Sequence, residues 1–152
     1  MTASISWYFM FLLLLAMLFG ACHDSKKTYM SDCDAHMMFK KVSYGHLMDS
    51  LKYYDKKYIE VVGKYEEGKE ESALFNDNLY ILKPNTALWV NFSQDCPLYL
   101  SGTHKGFFQL DGGGYAHIKN KKIRIRGRLD LKNRGYQKQY KGCIDHVSFI
   151  EL

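Results

Sequence analysis

A long apolar run at the N-terminus decides which part of this chain can belong to a folded domain. Residues 5–19 carry no charged side chain, and Gly20 and Ala21 then lead into Cys22, after which the sequence becomes polar. Small residues before a cysteine at the end of an apolar core are typical of a bacterial lipoprotein signal peptide. The pattern predicts that residues 1–21 are removed and that Cys22 carries lipid, with palmitate among its acyl groups.

Two other interpretations of this N-terminus stay open, an uncleaved transmembrane helix and a simple cleaved signal. The run is shorter than the ~20 apolar residues of a spanning helix, and no Lys or Arg precedes it. The Gly-Ala-Cys ending favours the lipoprotein, because a spanning helix has no chemical need for a thiol there. The predicted location is the bacterial cell envelope, where the lipid on Cys22 holds the chain on a membrane facing the periplasm or the cell surface.

The remaining residues suit one domain. About 130 residues are left after residues 1–21 are removed, enough for one hydrophobic core. Residues 23–32 are polar and lack periodicity, so we predict a flexible tether over 22–36 and a single domain over 37–152. The chain has 21 basic and 16 acidic residues, a formal charge of +5, and such a moderate excess is typical of a solvated surface.

Three cysteines remain beside Cys22. They are Cys33, Cys96 and Cys143. In an oxidising compartment this odd number predicts one disulfide and one free thiol, and the sequence leaves all three pairings open, as well as a reduced, buried state. No two cysteines have the spacing of a metal site and the histidines are scattered, so we predict no metal and no other cofactor.

Alternation of apolar and polar residues predicts a mainly β domain. The strand-like stretches are residues 58–66, 72–75, 79–82, 87–92, 122–131 and 140–152. Gly63 and Gly127 fall inside two of these strands and indicate the bends that a small barrel requires. Ser43 as an N-cap, with apolar residues at helical spacing after it, predicts one short helix over 44–54. Strands and helices do not alternate, which excludes a parallel α/β fold.

Four motifs resemble those of a known group of proteins. They are residues 54–63 (YDKKYIEVVG), 70–75 (EESALF), 87–92 (ALWVNF) and 121–127 (KKIRIRG). In this order they resemble OB-fold-like lipoproteins of unknown function from Bacteroidetes-type bacteria, although Lys57 stands where the pattern has Gly. The resemblance covers most of residues 44–150 and implies a small five- to six-stranded OB-fold-like barrel with one short helix.

A row of basic side chains on one predicted strand is the strongest candidate binding site. The row consists of Lys122, Arg124, Arg126 and Arg128, which share one face because strands alternate. OB barrels bind extended polyanions across such a face with aromatic side chains for stacking, a role for which Trp89 is the candidate. The alternative is a solvated face whose cations pair across strands with Glu60, Glu66 or Glu67. We favour this alternative, since a lipid-tethered protein outside the cytoplasm rarely meets nucleic acid.

Catalytic patterns are weak in this sequence. His104, His117, Asp95, Asp111 and Ser101 are the residue types of a hydrolytic triad, but no nucleophile-elbow motif accompanies them. We therefore predict that the chain is not an enzyme but a non-catalytic interaction module that recognises a protein or envelope component. In that role it would act as an inhibitor or immunity-type partner. Two alternatives remain: a binder of anionic glycan, lipid phosphate or nucleic acid through the basic row, and a small envelope hydrolase.

Overall fold

The computed structural model describes residues 26–77, 83–108 and 118–152, which contain eight strands and two short α-helices. The strands are β1 (Thr28–Met30), β2 (Lys40–Lys41), β3 (Tyr58–Gly68), β4 (Glu71–Phe75), β5 (Leu88–Val90), β6 (Tyr99–Leu100), β7 (Lys121–Asp130) and β8 (Cys143–Glu151). The helices are α1 (Tyr44–Asp49) and α2 (Leu51–Tyr54), and 3-10 turns lie at Pro84–Thr86 and Tyr136–Lys138. The predicted signal peptide, Cys22 and the predicted strand 79–82 lie outside the described residues. Among the described residues, no helix has the length and apolarity needed to cross a membrane.

Five of the strands close into a barrel. β3 pairs antiparallel with β4 and with β7, β4 pairs antiparallel with β5, and β7 pairs antiparallel with β8. A parallel pairing of β5 with β8 completes the circle. Five strands in this closed, largely antiparallel order form an OB-like barrel. The prediction of a small, mainly β barrel with short helical structure is confirmed.

Alternating side chains fill the barrel interior. On β7 the apolar members of the alternation, Ile123, Ile125 and Leu129, are at most 1% exposed. Their neighbours in sequence are the basic row, which therefore lies on the outer surface. The alternation in the sequence therefore predicted correctly which side chains of β7 are buried, because each barrel strand has one face in the core.

The predicted single helix is two short helices that pack on the barrel. Ser43 caps α1 as predicted, since its hydroxyl accepts a hydrogen bond from the His46 N–H. Ser50 leaves the helical conformation, with φ −127° and ψ 30°, and this separates α1 from α2. Tyr44 of α1 is buried and donates a hydrogen bond to the Leu74 carbonyl at 2.7 Å. Burial raises the pKa of Tyr44, so the hydroxyl stays a neutral donor.

The segment predicted as a flexible tether contains a strand. β1 pairs with the end of β8 and with β6, and Tyr29 at its centre is 7% exposed. Its ring packs edge-on against Phe107 with centroids 4.9 Å apart. The tether prediction is therefore wrong from Thr28 onward. The apolar contacts of Tyr29 come from residues distant in sequence, which a local pattern cannot register.

A disulfide fixes this extension of the sheet. Cys33, just after β1, is joined to Cys96, just before β6, with Cα atoms 5.5 Å apart. Among the three pairings that the sequence left open, this is the one in the structure. Cross-linking residues 63 positions apart restricts the unfolded chain and stabilises the fold by up to about 4 kcal/mol. Cys143 is a free, buried thiol whose pKa is raised by burial to about 12, so it stays protonated and unreactive at neutral pH.

Two glycines let barrel strands approach closely. A Cβ on Gly63 would lie 2.6 Å from the Phe75 carbonyl oxygen, and one on Gly127 would lie 2.6 Å from Ile144 Cγ2. Opposite Gly127 the register of β7 and β8 shifts, which marks a bulge at the predicted bend. Both strands therefore require a residue without a side chain at these points.

Alanine at either glycine is expected to destabilise the barrel. Gly63→Ala and Gly127→Ala should each lower the free energy of unfolding by about 1–3 kcal/mol, because the new methyl group overlaps neighbouring atoms. Gly45→Ala is the matched control, since nothing lies within 4 Å of its Cβ position in α1, and it should be neutral or stabilising by up to ~1 kcal/mol. Urea denaturation measures all three; equal effects at the three sites would contradict the close approach.

Candidate functional site

The two ends of the basic row are each paired with one carboxylate. Lys122 Nζ lies 2.6 Å from Asp77 Oδ2, just after β4. Arg128 donates two hydrogen bonds, at 3.1 and 3.0 Å, to the carboxylate of Asp145 on β8. These pairs neutralise the ends of the row, but the partners are Asp77 and Asp145 and not Glu60, Glu66 or Glu67, which the sequence suggested.

Glu60 of β3 holds the middle of the row. It is 6% exposed and stands opposite Arg126 in the β3–β7 register. Its carboxylate accepts a hydrogen bond from Arg126 Nε at 2.6 Å and lies 4.0 Å from Arg124 Nε and 3.8 Å from Lys41 Nζ. The Arg126 guanidinium also lies 4.3 Å from the ring centroid of Phe149. Arg126 is therefore fixed both by charge and by stacking.

A positive surplus remains around Glu60. In the described part of the chain, Glu60 and Glu151 share four cations, namely Lys26, Lys41, Arg124 and Arg126. Two negative charges thus face four positive ones, a local excess of two. Arg124 and Lys41 make no hydrogen bond to either carboxylate, because the contacts of Arg124 at 3.6 and 4.0 Å and of Lys41 at 3.8 Å exceed hydrogen-bond length.

Two of these four cations, Lys41 and Arg124, line an open groove of about 650 Å³ between the start of α1 and the outer face of β3 and β7. Three cations and two carboxylates line the groove, a net charge of +1; they are Lys41, Lys122, Arg124, Glu60 and Asp77. Ammonium and guanidinium groups at one wall can bind a carboxylate or phosphate through charge-assisted hydrogen bonds. The groove is therefore suited to one or two acidic groups rather than to a long charged track.

Trp89 is not part of this site, which corrects the predicted stacking role. It lies on β5, which β8 separates from β7 in the barrel. Its ring packs against Tyr140 with centroids 5.2 Å apart, and Gly135 approaches so closely that a Cβ there would lie 2.6 Å from the indole. The sequence places Trp89 on a strand but does not show which strands are neighbours, so the grouping was wrong.

The triad candidates are only partly described. Asp95, Ser101 and His104 are exposed in the stretch between β5 and β7. His117 and Asp111 lie outside the described residues, so the hydrolase alternative remains a hypothesis. Within residues 26–77, 83–108 and 118–152, no three His, Cys, Asp or Glu side chains come together in a group that could hold a metal ion.

Sequence reasoning missed an exposed apolar surface beside the barrel. We call it the apolar ridge; it consists of Met30, Pro97, Tyr99 and Phe108. Met30 and Tyr99 are register partners in β1 and β6, and they are 48% and 42% exposed. Phe108 is 53% exposed. No periodic pattern in the sequence predicts this surface, because its residues come from separate short segments.

Comparison with known proteins finds no family model, no curated protein and no solved structure that matches this chain. The resemblance to OB-fold-like lipoproteins therefore stays a prediction from the quoted motifs. A function for this chain has to be inferred from the geometry of the groove and of the apolar ridge.

Removing the Glu60 charge is expected to weaken the fold. Glu60→Gln should cost about 1–2 kcal/mol of unfolding free energy, since Arg126 loses its charged acceptor while remaining about a third exposed to water. Glu67→Gln is the matched control at an exposed position of the same strand and should change stability by no more than about 0.5 kcal/mol. Thermal denaturation at low and high salt measures both. A Glu60→Gln variant as stable as the control would refute the organising role of Glu60.

Proposed function

We propose that this chain is a lipid-anchored, non-catalytic interaction module of a bacterial cell envelope, and that it recognises an acidic group of a partner protein or envelope component in the groove beside Glu60. The observation that carries the proposal is the excess of two positive charges around Glu60 and Glu151. Arg126 is held by its hydrogen bond to Glu60, whereas Arg124 and Lys41 lie 3.6–4.0 Å from the carboxylates and keep their donors for a ligand.

The pairing along β7 favours a compact acidic group over a long polyanion. Asp77 and Asp145 neutralise Lys122 and Arg128, which leaves Arg124 and Lys41 as the cations best able to meet a ligand. An extended polyanion gains most of its affinity from many cations in sequence. Two cations at one groove instead fit a local contact, as an inhibitor or immunity-type protein would make with its partner.

An anionic glycan, a lipid phosphate or a nucleic acid is the second candidate class. The same two cations favour it, because carboxylate and phosphate oxygens accept the same charge-assisted hydrogen bonds. Salt dependence separates the two classes. Each neutralised phosphate of a nucleic acid adds nearly one unit to the slope of log affinity against log salt, whereas a single acidic contact on a protein gives a shallow dependence.

Binding is expected to depend on the groove and not on total charge. In crosslinked pull-downs from intact envelopes, the lipidated Lys41→Ser/Arg124→Ser variant should capture its partner at least about tenfold less than wild type, because two charge-assisted hydrogen bonds are lost. Lys132→Ser/Lys141→Ser removes two exposed cations elsewhere and is the matched control. Equal capture by both double variants would exclude the groove as the binding site.

The anchor has its own test. Labelled palmitate should be incorporated into wild type and lost completely in Cys22→Ser, since the predicted lipid attachment needs that thiol. Cys143→Ser removes a different thiol and should keep the label. Incorporation that survives Cys22→Ser would overturn the lipoprotein assignment.

A further inference from the structure

The apolar ridge is a continuous surface between two grooves. Pro97 and Tyr99 line both a groove of about 460 Å³ on the Phe108 side and one of about 680 Å³ on the Met30 side. Isolated exposed apolar residues are ordinary, but a contiguous group beside open grooves marks a contact surface. We therefore expect another apolar surface to contact the ridge.

Buried aromatic rings and a disulfide support the ridge. The Phe108 ring packs edge-on against Phe107 at 4.8 Å and against Phe92 at 5.2 Å, and Phe107 is 3% exposed. The Cys33–Cys96 disulfide joins the chain after β1 to the residue preceding Pro97. The exposed side chains are thus presented by a fixed support, and they lose little conformational freedom on contact.

Chain length places the ridge next to the predicted lipid. Cys22 and Thr28 are six residues apart, and even a fully extended chain of that length spans at most ~20 Å. Thr28 begins β1, and Met30 ends it. Whatever path the intervening residues take, the β1 end of the ridge stays close to the bilayer that holds the lipid, which gives it a high effective concentration at that surface.

We propose that the apolar ridge docks on the bilayer into which the Cys22 lipid inserts. The inference rests on the lipid anchor of the proposed function. Met, Phe and Tyr side chains enter the boundary between headgroups and acyl chains readily, and Tyr keeps its hydroxyl among the headgroups. Asp32 and Asp95 line the groove on the Met30 side, and Lys27 and Lys105 are exposed in the segments that lead into β1 and follow β6. Apolar burial therefore drives the docking, and anionic lipid is not required.

Docking would give the barrel a fixed orientation. β1 and β7 lie on opposite sides of β8, and both pair with its last residues. A ridge held on the membrane thus keeps the outer face of β7, with its groove, at a constant position relative to the bilayer. A barrel held only by the tether would rotate freely.

The test uses the full lipidated chain in vesicles of neutral lipid brominated near the ester groups. Bromine quenches tryptophan on contact, so Phe108→Trp reports whether the ridge reaches the lipid, with Tyr99→Trp as a second position. Tyr136→Trp, in the turn after β7 and also exposed, is the matched control. All variants retain Trp89, and thermal unfolding checks their fold.

Quenching at both ridge positions should exceed that at Tyr136→Trp by at least about twofold, since docked side chains lie about 5–10 Å into the headgroup boundary. The difference should persist in high salt. Vesicle flotation distinguishes failure of the docking proposal from failure of the lipid anchor. If the protein floats with the vesicles but the ridge is not quenched, the docking proposal is overturned and the anchor stands. If the protein does not float, both are overturned. Ridge quenching confined to anionic vesicles would contradict the apolar mechanism.

Discussion

The parallel pairing of β5 with β8 is the contact on which the rest of the structure depends. It has only two register pairs, Trp89 with Cys143 and Val90 with Ile144, yet it closes the barrel that the longer β3–β7 pairing leaves open. Without it the sheet would keep two open edges, and the apolar side chains of β4 and β7 would lack a common interior. Closure turns a curved sheet into a frame with a filled core, and the functional surfaces are built on the outside of that frame.

The same register that fills the core also assembles the charged site. On β3, Ile59 and Val61 face inward, so the strand alternation places Glu60 outward and directly opposite Arg126 of β7. A shift of one residue would exchange the two faces and bury the charges. Core packing therefore specifies the position of Glu60. The register that packs the core also brings the charged side chains together. This coupling explains why a nearly buried carboxylate is tolerated, since its partners arrive with the neighbouring strand.

Sequence patterns predicted the elements whose side chains repeat locally. The alternation of β7, the helical start at Ser43 and the bend at Gly127 were all visible, because each depends on neighbours within one strand or turn. The features that were missed depend on contacts between distant segments. β1 becomes a strand only by pairing with β8 and β6, and Trp89 packs against the later Tyr140 rather than beside the basic row. The choice of Cys96 as the partner of Cys33 likewise depends on the folded sheet, because the spacing of the cysteines favours no pairing.

Residues 26–30, which the sequence predicted to be part of a tether, connect the groove beside Glu60 with the apolar ridge. β1 supplies Met30 to the apolar ridge, while Lys26, two residues before β1, lies 3.2 Å from the Glu151 carboxylate. That carboxylate is also the nearest one to Arg124 at the groove, 3.6 Å away. A displacement of this segment would free Glu151 to pair with Arg124 alone, and the positive excess available to an acidic ligand would fall. The attachment of residues 26–30 to β8 is therefore a condition for the binding site as well as for membrane contact.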